Sequence, residues 1–124
     1  MIGYVTLGTN RFDEAAGFYD ELFATIGATR IFETDKFIAW GKNAKSPSVS
    51  IARPFDGQAA SVGNGVMVAI AMSSSDEVDA FHAKALELGG SDEGAAGLRG
   101  ENFYVGYFRD LDGNKLNAFC VVNN

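Results

Sequence analysis

Of the 124 residues only one is cysteine and one histidine, and 10 Lys and Arg stand against 16 Asp and Glu. The lone Cys120 excludes an intramolecular disulfide and suits a reducing compartment. A net charge of −6 with scattered Lys and Arg argues against nucleic acid and against an anionic membrane surface. No apolar run approaches the roughly 20 residues that a membrane span needs. The opening "MIGYVTLGTN" has no basic segment leading into a long apolar block, so no export signal is read and a cytoplasmic location is expected. What is present is ordinary for a folded chain. Hydrophobic residues make up 47% and charged residues 21%, which argues against disorder, and the length suits one domain with a real core.

The chain repeats itself. "GYVTLGTNRFDEAAGFYDELFATIGA" (3–28) aligns with "VMVAIAMSSSDEVDAFHAKALELGGS" (66–91) at a constant shift of 63. Val5 then meets Val68, Leu7 meets Ile70, Asp13-Glu14 meets Asp76-Glu77, Phe18 meets Phe81 and Gly27 meets Gly90. Farther on the shift becomes 67: "FIAWG" (37–41) meets "YVGYF" (104–108), and "SVSIARPF" meets "KLNAFCVV". The change implies about four extra residues in the second copy, assigned to a loop in the glycine-rich "DEGAAGLRGEN".

Each copy reads as β-α-β-β-β. Alternating segments at 2–8 and 66–72 read as strands, followed by helices with apolar residues at helical spacing. These are Ala15, Phe18, Tyr19, Leu22 and Ile26 in the first copy, and Val78, Phe81, Ala85 and Leu88 in the second. Asp13 and Asp76 fall where acidic side chains cap a helix start, and Gly27 and Gly89-Gly90 where a left-handed residue ends one. Strands are expected at about 29–34, 37–42 and 48–53, with 103–109 and 115–122 as clear counterparts. "RPFDGQAASVGNG" connects the copies. The fold class expected is α+β: two tandem modules forming a curved, cleft-bearing mixed sheet of eight strands with helices on its outer face.

The last strand poses the chemical question. Within "RDLDGNKLNAF" (109–119), Asp112-Gly113-Asn114 signals a tight turn. Alternation then places Leu116 and Ala118 on one face, and Asn117 with Lys115 and Phe119 on the other.

A paired module of this length, opening "YVTLGTNRFDEAAGFYDELF" and closing "YFRDLDGNKLNAFCV", resembles the vicinal oxygen chelate superfamily of glyoxalases, extradiol dioxygenases and bleomycin- and fosfomycin-resistance proteins. The resemblance covers essentially the whole chain. It implies a single domain over 1–124, with one module at about 1–55, a connector at about 56–65 and a second module at about 66–124. It also implies that four inward strand positions correspond to the places where metal-dependent members carry His and Glu ligands. Here those positions hold Tyr4, Ser50, Met67 and Asn117. None supplies the imidazole nitrogen or carboxylate oxygen that such an ion prefers, so no metal and no cofactor is expected.

The residues expected to line the cleft are Tyr4, Thr6, Trp40, Ser50, Met67, Ala69, Arg99, Tyr104, Asn117 and Phe119, a mostly small or apolar set suited to an organic ligand. Trp40 and Tyr107 are read as equivalent aromatics that either stack a flat ligand or pack in the core, and alternation does not decide between these. Arg99 and Tyr104 lie in or beside the longer loop of the second copy, where Arg99 could meet an anionic group. His82 and Cys120 are read as buried away from the cleft, and Asp110 and Asp112 as turn-shaping residues. The function expected is binding of a small organic molecule in a metal-free cleft, by a protein that pairs as a homodimer as its relatives do. A glyoxalase-like lyase, isomerase or dioxygenase with an unorthodox metal site is the alternative, and a metal-free enzyme with Tyr4 as acid a third.

Overall fold

Both helices end by the same local device, and the sheets follow from alternation. The computed structural model describes residues 1–122. In chain order the elements are β1 (Tyr4–Gly8), α1 (Phe12–Ala24), β2 (Thr29–Glu33), β3 (Phe37–Gly41) and β4 (Ser48–Ala52). There follow β5 (Val68–Ala71), α2 (Ser75–Glu87), β6 (Ser91–Arg99), β7 (Phe103–Arg109) and β8 (Lys115–Val121). The chain divides into two compact units, Met1–Gly63 and Asn64–Asn124. Hydrogen bonding is divided between two four-stranded sheets, ordered β1-β4-β3-β2 and β5-β8-β7-β6, in place of one sheet of eight. In each unit the first and last strands run parallel and the remaining pairs antiparallel. The repeat is therefore a repeat of topology as well as of residues.

The helix starts differ from expectation. Asp13 and Asp76 lie inside the first turn, where a negative charge favours the positive helix end, while the cap positions are Arg11 and Ser74. Ser74 Oγ accepts from the Glu77 amide at 3.2 Å, and Glu77 reaches back to the Ser73 amide at 2.7 Å. The two bonds together form a close relative of the capping box. Both helix ends carry the double hydrogen-bond closure that a left-handed glycine permits. Gly27 (φ 75°) and Gly89 (φ 105°) supply that conformation, with Ala28 bonding to Phe23 and Gly90 to Ala85.

Each helix covers one face of its own sheet. In the first unit Phe18, Tyr19, Leu22 and Phe23 of α1 are buried with Leu7, Ile38, Trp40, Val49 and Ile51 of the strands. In the second, Val78, Phe81 and Ala85 of α2 are buried with Phe108, Leu116, Ala118 and Cys120. His82 is also buried here, tucked against Gly106, where an added Cβ would come within 2.9 Å of the imidazole. Its Nε2 lies 3.0 Å from the Tyr107 carbonyl and 3.2 Å from Asp92.

The glycine-rich "DEGAAGLRGEN" is not a loop. It forms most of β6, a nine-residue strand, and the pair at the open end of the hairpin joins Ser91 to Arg109 where the first unit joins Thr29 to Gly41. The added residues lengthen the two strands, absorbed by register shifts at Asp92/Gly94 and Gly94/Gly97. Such irregularities are where glycine is tolerated in a strand.

One polar cluster closes the α1 side of the first sheet. Asp20 accepts two hydrogen bonds from Arg30, at 2.8 and 2.7 Å, and one from Trp40 Nε1 at 2.9 Å. The Arg30 hydrogen bond is the main reason that the Asp20 carboxyl is held below its usual range. Asp20→Asn keeps the shape but loses the charge, and is expected to destabilise the protein by about 1–2 kcal/mol near neutral pH, since charge-assisted bonds are lost. Because the folded-state value is depressed, this stabilisation is complete above the unfolded value near 4 and lost as pH falls through the folded value. Urea titrations of parent and variant at pH 7 and pH 3 check it: the difference should shrink at the lower pH.

Candidate functional site

Pairing registers settle which residues share the helix-free face of each sheet, since directly paired residues point the same way. On the first sheet Tyr4, Thr6, Ser50, Ala39 and Phe37 lie on that face. On the second it carries Ala69, Asn117, Tyr107 and Lys115, with Ala71, Phe119, Val105 and Phe103 beyond. Seven of the ten residues expected in a ligand site lie on or beside these two faces: Tyr4, Thr6, Ser50, Ala69, Asn117, Phe119 and Arg99. Met67 sits just before β5, half-exposed, with its thioether against Asn117.

Two residues depart from it. Trp40 is only 2% exposed and turns toward α1, with its ring 5.5 Å from Tyr19 and 6.1 Å from Phe23. Tyr104 also points to the helix side, donating a 2.6 Å hydrogen bond to Asp79 of α2 that raises the phenol above its ordinary range. The ladders decide both: alternation alone leaves the face of Trp40 open, and Tyr104 lies in β7 rather than beside a loop. Ser50 pairs with Ala39, and Asn117, its counterpart, pairs with Tyr107. The equivalent of Trp40 is therefore Phe108, not Tyr107, because β3 and β7 align at a shift of 68. A slip of one residue moves every side chain of a strand to its other face. Arg99 is corrected as well: it ends β6 rather than lying in a loop.

The local chemistry differs between the two faces. On the first, Ser50 is fully buried, its hydroxyl donating to the Val5 carbonyl at 2.8 Å and lying 3.0 Å from Thr6 Oγ1. A hydroxyl has a single proton, so Ser50 accepts from Thr6 and is already satisfied. Tyr4, 63% exposed, meets Phe37 edge to face at 6.1 Å, and Phe37 meets Phe32 at 5.9 Å. On the second face Asn117 is 2% exposed. Its Nδ2 donates to Met67 Sδ at 3.6 Å, while Oδ1 has no hydrogen-bond partner among the described residues. Phe119 stacks on Phe103 at 5.4 Å.

Sequence reasoning left Tyr107, Lys115 and Arg109 out of the site. Tyr107 carries Arg99 at 5.8 Å and Lys115 at 5.3 Å from its ring centroid. Arg109 pairs with Glu93 and donates to the Gly113 carbonyl at 2.8 Å. The Arg109 guanidinium holds the Glu93 carboxyl below its usual range. The signal for Lys115 was present, since alternation already put it beside Asn117. Tyr107 is read beside Trp40 as a stacking aromatic, but alternation alone does not decide its face. The turn after β7 is structural: Asp110 accepts from the amides of Asp112 and Asn114, each at 2.9 Å.

A family model described as the Glyoxalase/Bleomycin resistance protein/Dioxygenase superfamily matches residues 1–118. The chain belongs to this superfamily. Among solved structures, a glyoxalase/bleomycin resistance protein from Albidiferax ferrireducens T118 is 32% identical, with a TM-score of 0.90 over 98% of this chain and 99% of that one. Two more distant structures share the fold. Lactoylglutathione lyase from Agrobacterium tumefaciens has a TM-score of 0.70 at 17% identity, over 97% and 92% of the two chains. TnmS3, an antibiotic binding protein from Streptomyces sp. CB03234, has a TM-score of 0.69 at 14% identity, over 98% and 96%. No curated protein matches the chain in sequence.

Membership of the superfamily raises the question of a metal. The donor set does not fit one: a phenol, a thioether, a neutral amide and a hydroxyl already engaged within its own sheet leave no anionic oxygen or imidazole to offset a 2+ charge. Among the described residues, no group of three or more His, Cys, Asp or Glu side chains lies together. Nor is any helix among them long and apolar enough to cross a membrane.

Proposed function

We propose that this superfamily member binds a small organic molecule, without a metal, on the helix-free faces of its sheets. The observation that carries the reading is the replacement of anionic and imidazole donors by Tyr4, Ser50, Met67 and Asn117, with Ser50 internally satisfied and Asn117 Oδ1 left without a partner. A buried polar atom without a partner costs free energy unless something bonds to it. An incoming hydroxyl or N–H answers that need without any ion. Exposed and half-exposed aromatics on the first sheet, and Phe119 with Tyr107 on the second, add surface against which an organic body packs. The fold is shared with TnmS3, whose name describes antibiotic binding.

Two measurements on one sample test the proposal. Protein purified without added metal is expected to contain less than one tenth of an equivalent of zinc, nickel, iron, manganese or cobalt by elemental analysis. The same sample is expected to show saturable thermal stabilisation by at least one aromatic or peptide-like metabolite, unchanged by a chelator. A stoichiometric ion whose removal abolishes the stabilisation would overturn the reading in favour of a metal-dependent enzyme.

A further inference from the structure

The helix-free face of the second sheet is positively charged in a chain whose net charge is −6. Arg99, Arg109 and Lys115 project from it, and the Glu93 carboxylate is engaged by Arg109 and also feels the Lys115 charge. Among the described residues neither Arg99 nor Lys115 has a carboxylate within ion-pairing distance. Both cations nevertheless lie over the same aromatic ring, that of Tyr107. Two like charges at one ring repel, and each cation–π contact returns only about 0.5–1 kcal/mol at an exposed site.

The Arg99 side chain is also held in place. It folds back along its own strand, with Nη2 donating to the Ala95 carbonyl at 2.8 Å and Nη1 to the Gly97 carbonyl at 3.2 Å. The guanidinium lies in ordinary contact range of both glycines, 3.4 Å from a Cβ position at Gly94 and 3.5 Å from one at Gly97, while a Cβ at Gly94 would crowd the Tyr107 ring at 3.1 Å. Directly across from Tyr107 in the ladder stands Asn117 with its unpartnered, buried Oδ1.

We infer that this face takes an anionic organic ligand, its carboxylate or phosphate held between Arg99 and Lys115 beside the Tyr107 ring, with a hydroxyl or N–H next to the acid group donating to Asn117 Oδ1. This rests on the small-molecule reading above and narrows it to acids. An anion between the cations removes their repulsion and gains charge-assisted hydrogen bonds. The adjoining donor satisfies a buried acceptor that has no partner among the described residues.

Benzoate, phenyl phosphate and the neutral benzyl alcohol serve as probes, followed by amide chemical shifts of the full chain. Both acids are expected to shift amides within 94–99, 105–107 and 115–117 saturably, at least tenfold more tightly than benzyl alcohol, and the tighter of the two identifies the acid group. Arg99→Gln and Lys115→Gln, at exposed and half-exposed positions, should each weaken the acids at least fivefold and leave benzyl alcohol unchanged, with the amide spectrum itself reporting that the variants fold. Benzyl alcohol binding as tightly as the acids, or acids unaffected by either substitution, would overturn the inference while leaving small-molecule binding standing. Silence from all three probes on both helix-free faces would count against both.

Discussion

Trp40→Ala is expected to lower folding stability by about 3–5 kcal/mol, the range for removing a large buried aromatic. Three contributions combine. The ring loses its packing against Tyr19 and Phe23, a cavity remains between α1 and the first sheet, and Asp20 loses one of its donors. Because domains of this size are stable by only about 5–15 kcal/mol, much of the margin would go, and urea unfolding would show it directly. Trp40→Phe should fall between parent and Ala, since it restores packing but not the N–H. A loss below about 1 kcal/mol for Trp40→Ala would mean that the ring is not part of the core. In the fraction that stays folded, ligand affinity should be unchanged, because Trp40 and the helix-free face lie on opposite sides of the sheet.

That residue also illustrates how far the sequence could be read. Alternation and repeat spacing carried the two βαβββ units, the pairing of Ser50 with Asn117 as equivalents, and the glycine closures at Gly27 and Gly89. These are local rules with a strong physical cause: a strand has period two, and only a residue tolerant of positive φ ends a helix in that way. The alignment of β3 with β7 was one residue out, because insertions at the β6–β7 hairpin shift the register while identities are too few to correct it. A one-residue error is nearly invisible in composition and complete in consequence, since it paired Trp40 with Tyr107 although one turns to the helix side of its sheet and the other to the helix-free side. Likewise "DEGAAGLRGEN" carries the glycines of a loop, and only the ladder to β7 makes it a strand. The folding back of Arg99 over Gly94 and Gly97 is a tertiary fact with no sequence signature.

Asn117→Asp exchanges one oxygen for nitrogen's place and asks whether an ion belongs there. Asn117 is almost wholly buried, so the new carboxyl loses its hydration and its folded pKa rises above the unfolded value of about 3.9. The variant should therefore match the parent at pH 4 and below, fall behind as pH rises toward the folded pKa, and lag by a constant amount beyond it. Lys115 and Arg109 project from the same face and offset part of the cost, which leaves an expected deficit of about 2–3 kcal/mol at pH 8, a shift of two pKa units corresponding to about 2.7 kcal/mol. Paired urea titrations of parent and variant across that pH range measure it. Millimolar zinc, nickel or manganese should not restore the loss. The donor beside Asn117 is the soft Met67 thioether, and a single added carboxylate next to it does not complete a coordination sphere for such ions. Stoichiometric rescue by a divalent ion would show that the protein does complete such a site, and the metal-free reading would fall with it.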